Sequence, residues 1–256
     1  MLEEFATQAF WVGLAKIIGV NIVLSGDNAV VIALAARSLP PKQQKQAILW
    51  GAGAAVALRI ILTVFAVALL TLPWLKIAGS LLLFWIGIKL LVPEEDTDDI
   101  NASDSLMAAI KTILIADLVM SLDNVIAVAA AAGGSLTLLI LGLAISIPLV
   151  VFGATLLVNL MERYPVIITV GAALIGLVAG EMLVTDPVAL EWLKGMSGIQ
   201  IDGGKPKLYG FNLELAAGAA GAVIVIVWGL WLAKRQEAAG TRPEAGSQAE
   251  TETRKT

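Results

Sequence analysis

Asp27 and Asp123 each stand inside an apolar run, and each is followed by an asparagine. The first run reads Asn21-Ile22-Val23-Leu24-Ser25-Gly26-Asp27-Asn28-Ala29-Val30. The second reads Asp117-Leu118-Val119-Met120-Ser121-Leu122-Asp123-Asn124-Val125-Ile126. A carboxylate in such surroundings costs roughly 2.5–3.5 kcal/mol to place in a membrane, so function is the first explanation to test. All the polar groups here offer oxygen: carboxylate, amide carbonyl and hydroxyl. The chain has no Cys and no His. That excludes disulfides, thiolate or His-based catalysis, haem attachment and tetrahedral zinc sites. Oxygen donors suit Mg²⁺, Ca²⁺ and Mn²⁺. The candidate metal ligands are Asp27, Asn28, Asp117, Asp123, Asn124 and Asn21, with Ser25 and Ser121 as supporting polar groups.

At about 100° per residue, Asn21, Ser25 and Asn28 share one stripe of a helix, as do Asp117, Ser121 and Asn124. Asp27 and Asp123 point roughly 120° away in an unbroken helix. Either the helix unwinds near Ser25-Gly26 and frees carbonyls as further ligands, or each Asp reaches to a neighbouring helix. Leu122 stands where the first copy has Gly26, so a break should be clearer in the first copy. Met120 could add a soft sulfur favouring Mn²⁺, but its counterpart is Leu24 and core packing is the expected role. The bland account, polar groups bonding helix to helix, explains the serines well and three buried carboxylates poorly.

Arg59 is the central cation. It is expected to pair with Asp27 or Asp117, as a fixed counter-ion or as a group displaced when a cation enters. Lys89 and Glu181 correspond in the two halves but should lie near opposite faces. Lys89 is read as snorkelling and Glu181 as a candidate gate.

The elements that must hold these residues are helices. Of 256 residues 58% are hydrophobic and 15% charged, with mean hydropathy +0.87, which is the composition of a membrane protein rather than a soluble domain. The expected fold is an all-α transmembrane bundle of seven spans, roughly 9–36, 47–70, 74–92, 107–132, 136–160, 165–184 and 213–233. The first is longer than a bilayer needs, so it must tilt, bend or be interrupted. The acidic start lacks the basic leader of a signal peptide, and the first run is expected to be retained.

The two motifs align at an offset of 96 residues, and Lys89-Leu90-Leu91-Val92 matches Glu181-Met182-Leu183-Val184. Residues 9–92 and 107–184 therefore read as two copies of three spans, which an odd span count forces into opposite orientations. The transporter domain is 1–233, with 213–233 an additional span and 234–256 a disordered cytoplasmic tail. Lys and Arg near the span ends favour the N-terminus outside and the C-terminus inside. The 94–104 stretch is either a solvated acidic loop or a vestibule concentrating cations. Asp186-Pro187 reads as the start of a short surface helix through Lys194, and Gly203-Gly204-Lys205-Pro206 as a turn.

The paired Ser-Gly-Asp-Asn and Ser-Leu-Asp-Asn signatures resemble those of the TerC family of bacterial membrane proteins, closest to its YjbE-like branch, over about residues 9–233. The resemblance implies a multi-pass inner-membrane protein of the LysE transporter superfamily, associated with manganese efflux and, by name, tellurium resistance. Carried over by position, it implicates Asp27, Asn28, Asp117, Asp123 and Asn124. Many family members have an acid where this chain has Asn21, which removes one charge.

The expected function is a secondary carrier exporting divalent cations, Mn²⁺ first, rather than an enzyme. Expected partners are the bilayer, the transported ion, a coupling proton or cation and a second copy of the chain, with no nucleic acid and no permanently bound cofactor. Two other classes compete. An intramembrane aspartyl protease could use the two membrane Asp residues, although the Asn after each has no use in proteolysis. An amino-acid or oxyanion exporter would want converging cations, and only Arg59 is central.

Overall fold

A computed structural model describes residues 8–24, 26–65, 72–92, 102–133 and 135–240. Expectations for Ser25, for most of the acidic 94–104 stretch, for the Asp123 side chain and for residues 241–256 lie outside the described residues. The helices are α1 (Gln8–Leu24), α2 (Gly26–Ala36), α3 (Pro41–Val64), α4 (Leu75–Leu91), α5 (Ala102–Ala132), α6 (Leu136–Arg163), α7 (Val166–Val184), α8 (Pro187–Lys194) and α9 (Leu213–Gly240).

Five of them are long and apolar enough to cross a membrane: α3, α6, α7, α9 and, within α5, residues 105–122. The α1–α2 pair, bent by 50°, makes a sixth if it is one span. The expectation of seven is thus met only in part. The 17-residue α4 rises only about 25 Å, short of the roughly 30 Å of a hydrocarbon core. Large apolar side chains such as Trp11, Trp85, Phe152 and Trp228 are exposed on the bundle. Lipid is the solvent that explains such a surface.

Three boundaries move. α3 starts at Pro41 rather than 47, because proline suits the first helical position and the Lys-Gln run after it continues the helix. α5 starts at Ala102, ahead of the expected 107. α9 continues to Gly240, past 233, so the expected tail begins as helix. One element is new. Residues Ile199–Asp202 (β1), Lys205–Leu208 (β2) and Phe211–Asn212 (β3) form an antiparallel meander between α8 and α9. The β1–β2 turn is Gly203-Gly204 alone, both with positive φ (56° and 81°). That conformation suits glycine in a two-residue hairpin. Lys205 and Pro206, expected in the turn, belong to β2.

Packing places the motif helices centrally. α3 lies on α5 and α6, α1 on α6, and α9 on α7 and α4. Small residues set the closest approaches. A Cβ on Gly51 of α3 would meet Ile113 of α5 at 2.7 Å, and one on Gly142 of α6 would meet Ile17 of α1 at 2.5 Å. Ile17 and Ile113 stand at the same offset as the two motifs. A Cβ on Gly79 of α4 would lie 2.7 Å from Val119 of α5, and one on Gly171 of α7 would lie 2.7 Å from Val30 of α2. Gly79 and Gly171 share the offset that aligns Lys89 with Glu181. At Gly180 and Gly221, α7 and α9 touch backbone to backbone.

The short surface helix is as expected, and its cap does more than expected. Asp186 is fully buried and accepts from Val188 N at 2.9 Å, capping α8. It also accepts from the backbone N–H groups of Trp74, Lys76 and Ile77 at the start of α4. One carboxylate thus satisfies orphan donors of two helices and fixes the end of α7 beside the start of α4.

Candidate functional site

The chain bends by 50° between α1 and α2, at the first motif. α1 ends at Leu24, α2 begins at Gly26, and α5 runs unbroken through the second motif. Asp27 stands in the first turn of α2, where the helix dipole favours an anion. Its Oδ1 accepts from Asn28 N at 2.8 Å. The Leu24 carbonyl accepts from Asn124 Nδ2 at 3.3 Å, so the second motif reaches into the bend of the first.

Arg59 of α3 ties the two motif helices together. It is 3% exposed. Its Nη1 donates to Asn21 Oδ1 of α1 at 2.8 Å, its Nη2 to Asp117 Oδ1 of α5 at 2.5 Å, and its Nε to Ser121 Oγ at 3.0 Å. The Ser121 hydroxyl in turn donates to Asp117 Oδ2 at 3.1 Å. Of the two partners expected for Arg59, it is Asp117 that forms the ion pair. Removing two charges from water costs several kcal/mol per ion, and the added hydrogen bonds from Ser121 and to Asn21 are what make such a pair tolerable. Asp27 lies within electrostatic reach of both Arg59 and Asp117.

Asn28 differs from the rest. It is 3% exposed, and neither its amide oxygen nor its amide nitrogen has a partner among the described residues. A buried amide in this condition costs about 1–3 kcal/mol. It follows Asp27 at the start of α2, and its amide oxygen is a buried acceptor left unused among the described residues. Among the described residues no three acidic side chains gather as a metal cluster. The described oxygen donors are instead mixed, with Asp27 and Asp117 carboxylates and the Asn21, Asn28 and Asn124 amides.

The remaining expectations resolve locally. Met120 is buried in the main apolar core, the packing role expected of it. Lys89 is exposed at the end of α4 with its ammonium 5.5 Å from the Trp85 ring, consistent with snorkelling. Glu181, the candidate gate, lies with its Cγ beside Gly218 of α9.

With this geometry in view, the comparison with known families is decisive. The family described as "Integral membrane protein TerC family" matches residues 6–237. The chain belongs to the TerC family. Among its relatives is the uncharacterized membrane protein YjbE of Bacillus subtilis, 47% identical over 177 residues, covering 69% of this chain and 81% of that protein. The uncharacterized membrane protein YceF of the same organism is 27% identical over 190 residues, covering 70% and 74%. The UPF0053 protein YegH of Escherichia coli is 27% identical over 187 residues, which is 65% of this chain and 35% of that one. No solved structure matches this chain. Within this TerC family protein, Asp117 is joined to Arg59 and Asn124 to the Leu24 carbonyl. Sequence reasoning missed Leu24, because a backbone acceptor carries no signal in residue type. It also missed that Asn21 accepts from the same guanidinium as Asp117, its counterpart at the 96-residue offset of the motifs.

Proposed function

We propose that this TerC family protein is a secondary transporter that exports a divalent cation, Mn²⁺ first, through a site built from Asp27, Asn28, Asn21, Asp117, Asp123 and Asn124. The observation that carries the reading is the meeting of the two motif helices at one buried polar centre, with Asn21 and Asp117 on the same Arg59 guanidinium. Helix glue alone has no need of the Asn28 amide, buried and without a partner among the described residues. Mixed carboxylate and amide oxygens are the donors a hard dication takes, and carboxylates lower the cost of holding it at low dielectric. In the working cycle these carboxylates alternate between metal-bound and protonated states.

The carrier is a 3+3 inverted repeat with α9 added, in the bacterial inner membrane. The recurrence of the Gly51–Ile113 contact as Gly142–Ile17 supports the repeat. The N-terminus lies outside and the C-terminus in the cytoplasm. Lys89, Arg163 and Arg235 each stack on a neighbouring aromatic ring near the C-terminal ends of α4, α6 and α9, a natural set of anchors for one interface. The Arg59 donors are turned on the protein's own acceptors, and Asp117 is paired with a guanidinium rather than a second carboxylate. Neither feature favours an oxyanion carrier or a protease dyad.

The test is metal accumulation by inverted membrane vesicles, comparing Mn²⁺, Mg²⁺ and Ca²⁺ with and without a proton gradient. Mn²⁺ should accumulate through the unaltered protein. Asp27→Asn and Asp123→Asn should abolish accumulation while the protein stays folded in the membrane. Unaltered Mn²⁺ accumulation by both variants would remove the basis of the assignment.

A further inference from the structure

Arg59 breaks the symmetry of the site, and the way it does so has a functional reading. Gly51 of α3 and Gly142 of α6 play the same part, each seating an isoleucine of a motif helix. At the spacing those two glycines set, the position in α6 that corresponds to Arg59 is Val150. An apolar residue therefore serves in one half where a buried cation stands in the other, so the packing of this helix pair has no intrinsic need of a charge. The guanidinium also engages both members of a repeat pair, Asn21 and Asp117, which places it between the halves. Each acceptor named for it is an oxygen of carboxylate, amide or hydroxyl type. That is the donor set of a hard divalent cation.

We propose that Arg59 is the resident cation of the transport centre, occupying Asp117 and Asn21 when no metal is bound and giving them up when a divalent cation enters. This rests on the reading of the chain as a divalent-cation carrier. Guanidinium and metal then exclude one another on Asp117, because the same carboxylate oxygens cannot face both. The formal charges of Asp27, Asp117, Asp123 and Arg59 leave a net −2. One dication, or two protons, cancels that charge. Without Arg59 the centre keeps an additional negative charge and loses the group that competes for its ligand. It should then hold metal more tightly and release it more slowly.

Arg59 is thus a specificity-determining residue whose removal splits binding from turnover. The experiment uses the full-length protein in detergent for Mn²⁺ calorimetry and in proteoliposomes for Mn²⁺ flux, with wild type, Arg59→Lys and Arg59→Gln compared. Arg59→Gln should bind Mn²⁺ about tenfold more tightly and transport it at least about tenfold more slowly. Arg59→Lys, which keeps the charge, should stay near wild type in affinity. Weaker or unchanged Mn²⁺ binding by folded Arg59→Gln overturns the proposal, since a purely bracing arginine would lower binding and transport together. Should Arg59→Gln fail to fold, the wild type alone still decides between the two roles. Phenylglyoxal modification of Arg59, read by mass spectrometry against Arg163 and Arg235, should rise severalfold on adding Mn²⁺. No rise overturns the proposal. A wild type that neither binds nor moves Mn²⁺ sinks the carrier reading itself, which is a different result from a carrier indifferent to Arg59.

Discussion

A buried amide without partners is a stability cost kept for a reason. Asn28 has both amide atoms unpaired among the described residues and almost no exposure, so the fold gains nothing visible from its polarity. Asn28→Leu, which keeps the branching at Cγ and removes both polar atoms, should therefore stabilise the protein by about 1–3 kcal/mol, seen as a higher melting temperature in detergent. The same variant should lose Mn²⁺ binding. A lower melting temperature would mean that Asn28 is satisfied in the folded protein and is no ready ligand. The identity of the polar residues was legible in the sequence because charge and amide stand out in an apolar run. Their pairing was not. Helical spacing put Asp117 and Ser121 on one stripe, yet nothing in residue order said that Arg59 would take Asp117 rather than Asp27, or that Asn124 would find the Leu24 carbonyl.

Among the elements, what the sequence disclosed and what it hid follow the same rule. The bend between α1 and α2 was readable because Gly26 and an over-long apolar run both pointed to it. The β1–β3 meander was not, since strands of two to four residues carry too few alternating positions to show a period. Asp186 was legible as the cap of α8 but not as the cap of α4, a partner more than 100 positions away in the chain. That second role predicts an effect beyond one lost N-cap. Asp186→Ala leaves buried N–H groups at two helix starts and should cost about 2–4 kcal/mol. Asp186→Asn, which keeps an acceptor oxygen, should cost less. Thermal unfolding of both in detergent checks the order. Equal losses would show that the charge, and not the acceptor, holds α4 to α8.

For the whole molecule, the packing divides the helices into two groups. α4, α7 and α9 hold together through close contacts such as Gly180 on Ala217 and Gly87 near Val225. α1, α3, α5 and α6 hold together around the two Gly–Ile contacts, with Arg59 at their centre and α2 packed on α5 and α6. The groups meet where Gly79 seats Val119 and Gly171 seats Val30. If transport needs one group to rock against the other, those two seams are where motion must occur. The chain contains no cysteine, so introduced pairs act alone. The short approach at each seam puts a Gly79→Cys/Val119→Cys pair and a Gly171→Cys/Val30→Cys pair within disulfide reach. Oxidising either should arrest Mn²⁺ flux in proteoliposomes, and reductant should restore it. A Gly87→Cys/Val225→Cys pair lies inside one group and should leave flux unchanged when oxidised. Full flux through both cross-linked seams would show that the groups do not move apart there, and rocking would have to give way to motion confined to the α1–α2 bend.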